Sequence, residues 1–68
     1  MNSATLSNSP RLQRVLTYLS DGKRHSTLEI VHGARVCAVN SIVSELRRNG
    51  IAVACHREKG VYFYKLGN

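Results

Sequence analysis

Apolar residues recur at helical spacing along the first two thirds of this chain and at strand spacing along the last third. Leu12, Val15, Leu16 and Leu19 share one stripe of a predicted helix that begins at Ser9-Pro10. A serine before the first turn accepts from free backbone N–H groups, and proline suits the first helical position. Asp21-Gly22 is a stop signal. Lys23-Arg24-His25 then reads as a brief strand. Ser26-Thr27-Leu28-Glu29 has the form of a capping box and opens a short second helix. Leu28, Ile30 and Val31 are expected to face inward, and Gly33 to end this helix in the left-handed region. A third helix follows, with Val36, Val39, Val43 and Leu46 on its stripe and Ile42 widening it. Asn49-Gly50 closes it, with Arg47 and Arg48 at the negative end of the helix dipole.

The period then changes to two. Ile51 to His56 is a strand-like run, Arg57-Glu58-Lys59-Gly60 a polar turn, and Val61 to Leu66 an alternating aromatic strand. Val61, Phe63 and Lys65 fall on one face of it; Tyr62, Tyr64 and Leu66 fall on the other. A hairpin alone is marginal in water, so this one is expected to lean on the helices. Residues 1–8, polar with one leucine, read as a flexible N-terminal arm before a domain at 9–68.

A chain of 68 residues makes one domain and leaves no room for an enclosed substrate pocket beside its core, so no enzyme is expected. Ten Lys and Arg against four Asp and Glu give a formal charge of +6, the footprint of a polyanion binder. No apolar run reaches the roughly 18 residues of a membrane span, and the first residues do not read as a signal peptide. The expected compartment is the cytoplasm, nucleoid-associated or that of a phage host. Cys37 and Cys55 lie in apolar runs and read as reduced core residues. They and His25, His32 and His56 lack the paired spacing of a zinc site, so no metal or cofactor is expected. Cys37 has no positioned base in sequence, and no glycine-rich phosphate loop occurs.

The order of elements, with Leu28-Glu29-Ile30-Val31-His32-Gly33-Ala34-Arg35-Val36-Cys37-Ala38-Val39 and then Ile42-Val43-Ser44-Glu45-Leu46-Arg47-Arg48-Asn49-Gly50, resembles the winged helix-turn-helix superfamily. The nearest likeness is to small helix-turn-helix domains of bacteriophages and prophages. The resemblance spans about Pro10 to Leu66. It departs from the pattern at Gly33-Ala34-Arg35, where the glycine stands before the centre of the turn. It implies an α+β fold with three helices and a small antiparallel hairpin wing. It also implies double-stranded DNA as partner, in a bacterial or phage transcriptional regulator or a recombination or replication accessory. A protein-interaction module without DNA binding is the alternative, and a homodimer or protein partner stays open.

In this reading the third helix enters the major groove, roughly 12 Å wide, and polar side chains reach base edges. Asn40, Ser41, Ser44 and Arg47 are the expected base contacts. Lys23, Arg24, Thr27, Arg35 and Arg48 are the expected phosphate contacts. His56, Arg57 and Lys59 on the wing would track the adjacent backbone or minor groove. Tyr62, Phe63 and Tyr64 are read as core or dimer packing rather than as a stacking platform for single-stranded bases.

Overall fold

The computed structural model describes residues 8–67. The element order is α1 (Pro10–Tyr18), a 3-10 turn (Leu19–Asp21), β1 (His25–Ser26), α2 (Thr27–Ala34), α3 (Val39–Arg48), β2 (Val53–Glu58) and β3 (Val61–Leu66). The fold is α+β: three helices against a three-stranded antiparallel sheet of order β1-β3-β2. The expected arm lies outside the described residues except for Asn8, as does Asn68.

Local chemistry accounts for the starts of α1 and α2. The Ser9 hydroxyl accepts from the Leu12 N–H, with Pro10 in the first helical turn. The Ser26 hydroxyl accepts from the Glu29 N–H at 3.1 Å, and the Glu29 carboxylate accepts from the Ser26 N–H at 2.8 Å. This reciprocal pair satisfies two donors that the helix cannot satisfy itself. Gly22 and Gly50 adopt φ of 76° and 84° at the ends of the first and third helical segments.

One contiguous core joins the layers. Leu12, Val15 and Leu19 from the first segment meet Ile30 and Ala34 from α2, and Val39, Ile42, Val43 and Leu46 from α3. Val53 and Tyr64 close it from the sheet. Antiparallel register puts Cys55 opposite Tyr64 and Arg57 opposite Tyr62, so these four share the sheet face turned to the helices. His56 and Phe63 share the other face.

Several expectations are corrected. Gly33 does not end α2: it lies inside the helix, and Arg35 takes the left-handed cap instead, at φ 56°. A Cβ on Gly33 would run into the Tyr18 ring, so the glycine serves close packing of α1 against α2. α3 starts at Val39, and buried Val36 belongs to the turn before it. Leu28 is 65% exposed; Ile30, not Leu28, fills the core. Leu28 lies in the first turn of α2, at the surface beside Tyr18 and His32. Cys37 and Cys55 are free thiols but exposed. Cys37 follows Val36 in the turn, and Cys55 lies in β2 opposite Tyr64. The early strand is His25–Ser26 rather than 23–25. Among the described residues no helix is long and apolar enough to cross a membrane.

Candidate nucleic-acid interface

α3 buries one stripe and leaves Asn40, Ser41 and Ser44 exposed on the other side. Its N-terminus has an unusual start. Ala38 caps it at φ 30° with no side-chain hydrogen bond, and its carbonyl accepts from the N–H groups of Ser41 and Ile42. The first turn of α3 is therefore left without a side-chain acceptor at its positive end. The Ser44 hydroxyl donates to the Asn40 carbonyl at 3.1 Å, which pins it along the helix.

The β2–β3 hairpin packs on the helices through Val53 and Tyr64. Its tip is Lys59-Gly60, with φ of 52° and 80°. Two successive positive φ values make the two-residue turn whose twist matches the flanking strands. Arg57 and Glu58, expected in the turn, are therefore strand residues. Because side chains alternate, Arg57 points toward α3 while His56 and Glu58 point to the opposite face.

Between the hairpin and the first turns of α2 and α3 lies an open groove of about 540 Å³. Thr27, Ala38, Asn40, Tyr62 and Tyr64 line it. The Thr27 hydroxyl donates to the Tyr62 carbonyl at 3.4 Å, tying α2 to β3. The Arg57 guanidinium lies over the Tyr62 ring, 5.6 Å from its centre. Burial pushes the Tyr64 phenol above its ordinary value, and the neighbouring Cys55 adds to this.

The carboxylates each meet a partner within the chain, at the surface. Asp21 accepts from the Lys23 N–H at 2.9 Å and meets the His25 ring, also at 2.9 Å. The Lys23 N–H first, and then His25, holds its carboxyl below the usual range. Glu29 is held in the capping box, Glu45 meets Arg11 at 3.4 Å, and Glu58 meets Arg24 at 3.0 Å. These are the four acidic residues of the chain.

The structure divides the residues expected at the interface. Thr27 and Asn40 line the groove with Tyr62, and Arg57 lies over the Tyr62 ring; Ser41 and Ser44 are exposed along α3, and Lys59 is at the hairpin tip. Arg47 does not join them. Its Nε and Nη2 donate to the Val53 carbonyl at 3.2 and 2.7 Å, so it clamps α3 to β2 rather than reaching outward to a base. Arg24 is turned to the outer sheet face, over Phe63 at 4.7 Å and against Glu58. His56 is on that outer face too, with its ring 3.9 Å from Glu58. Lys23 is exposed before β1, Arg48 in the last turn of α3 and Arg35 at the end of α2. Tyr62 was not expected here. The Lys59-Gly60 turn carries the signal, because centring the hairpin on it pairs Arg57 with Tyr62. Among the described residues no three His, Cys, Asp or Glu side chains gather as metal ligands do.

Compared with known proteins, the chain matches no family model, no curated protein and no solved structure.

Proposed function

We propose that this chain is a small double-stranded DNA-binding module of the winged helix-turn-helix type. In this reading α3 lies in the major groove and the β2–β3 hairpin lies on the adjacent backbone or minor groove. One observation carries it: each of the four carboxylates meets a partner within the chain, while Asn40 and Ser41 on α3 and Arg57 and Lys59 on the hairpin are exposed, with Asn40 and the Tyr62 ring beneath Arg57 lining one groove. Asparagine pairs in bidentate fashion with adenine, and Arg and Lys on the hairpin neutralise phosphates. A regulator of transcription, or an accessory of recombination or replication, in a bacterium or phage is the setting that fits such a module. Its small footprint favours paired half-sites and hence a homodimer on DNA.

A second reading has one observation in its favour. Leu28 stands 65% exposed beside Tyr18 and His32, an apolar spot suited to a protein partner.

Fluorescence anisotropy of a labelled duplex separates the two. Arg57→Gln with Lys59→Gln should weaken binding on any sequence and reduce the salt slope by about two. Asn40→Ala should cost about 1–3 kcal/mol on the preferred sequence and little on others. Parental binding by both variants would refute this assignment of the interface. Absence of duplex binding by the parent itself would favour the protein reading.

A further inference from the structure

α1 carries two arginines that the duplex-facing surface does not use. Arg11 and Arg14 are three residues apart on one exposed side of the helix, a spacing at which like charges repel. Arg35, at the end of α2, joins them. The three guanidinium-bearing residues line an open cleft of about 320 Å³ with Cys37, Ala38 and Ile42. No acidic residue lines it.

The arginines are held differently. Arg14 donates from Nε to the Ala34 carbonyl at 3.0 Å and from Nη2 to the Arg35 carbonyl at 3.4 Å. These contacts serve the unsatisfied end of α2 and fix the guanidinium before any ligand arrives. Arg11 meets Glu45 at 3.4 Å, with its side chain 54% exposed. Arg35 is exposed in the left-handed cap, and its side chain has no hydrogen bond or ion pair among the described residues. Ala38 brings the start of α3, which lacks a side-chain cap, to the same cleft.

Glu45 offsets only Arg11, at 3.4 Å, so the three gathered cations still repel one another, and an anion between them removes that repulsion. Planar guanidinium groups match tetrahedral oxyanions through paired N–H donors. We infer that the Arg11–Arg14–Arg35 cleft is a phosphate-type oxyanion site, on the side of the α3 N-terminus away from the hairpin groove. A phosphodiester of bound duplex or a free phosphate can supply the oxyanion. The first source rests on the duplex-binding reading above; the site itself does not.

Cys37 lines the cleft and reports on it. Its alkylation rate by iodoacetamide, resolved from that of Cys55 by peptide mass, is measured with inorganic phosphate, with chloride at matched ionic strength, and with a duplex. A ligand at twice its dissociation constant should slow the reaction about threefold. Protection by phosphate, absent in Arg11→Gln/Arg35→Gln, is the expected result. Protection by duplex as well assigns the site to the DNA backbone. Phosphate protection on a protein whose duplex binding leaves Cys37 unchanged, or that binds no duplex, assigns it to free phosphate. A Cys37 rate the same in phosphate, duplex and chloride would overturn the site, as would protection that persists in a double variant whose circular dichroism matches the parent.

Discussion

Gly33 has two opposed effects on stability, and the larger is a contact rather than a propensity. Inside a helix, glycine is worse than alanine by about 1 kcal/mol. At Gly33, however, an added Cβ would run into the half-buried Tyr18 ring, which also packs on His25 at 4.7 Å. Gly33→Ala should therefore lower the unfolding free energy by about 1–2 kcal/mol, as overpacked sites do. Urea denaturation measures this, and Tyr18→Ala in the same chain should relieve it. From sequence, a glycine followed by a turn reads as a helix end, because its demand for close approach comes from α1, 15 residues earlier. Arg35 shows the converse: a residue with no special liking for positive φ takes the cap, with Arg14 covering the carbonyls there. Tyr64 links residue chemistry to pH. Its native phenol titrates above its ordinary value, so the protonated form is favoured by the fold. That contribution is complete below about pH 10 and is lost as the pH rises through the native value. The denaturation midpoint should fall there, and Tyr64→Phe should flatten the fall.

At the scale of elements, α1 and α2 begin where their sequences say, because Ser9-Pro10 and Ser26 with Glu29 satisfy their own first turns. β1 and the start of α3 were less legible, since neither is set locally. His25 and Ser26 are strand residues only because Tyr64 and Phe63 pair with them. Val36 keeps the helical spacing of the α3 stripe, yet Ala38 turns the chain into the left-handed region after it. The joint between α3 and β2 carries the other correction. Arg47 lies on the polar side of its helix, which is all the sequence gives, but its guanidinium ends on the Val53 carbonyl. Arg47→Ala should lower stability by about 1 kcal/mol, the loss expected when a charged donor leaves a partly covered carbonyl. Arg47→Lys should recover only part of it, since an ammonium cannot copy the fork. An effect on sequence preference with no loss of stability would return Arg47 to the interface.

Over the whole molecule, the sequence made the three helices, the hairpin and an excess of cations legible. It did not show which faces the cations occupy. Alternation puts Arg57 on the Tyr62 face and His56 on the other, and that division depends on a tighter turn than the polar run suggests. Arg24 and Arg11 are each drawn to a carboxylate 34 positions away, a pairing invisible along the chain. What emerges is a surface on which Asn40, Ser41, Arg57 and Lys59 are exposed, around a groove lined by Asn40 and Tyr62, while each acid has a partner. The central claim is that this surface meets the phosphates and bases of duplex DNA. Titrating a fluorescent random duplex with the protein at about 50 and 200 mM salt tests it most directly. The account predicts micromolar binding at the lower salt that weakens by an order of magnitude or more at the higher. Absence of binding at the lower salt, or binding indifferent to salt, would contradict it.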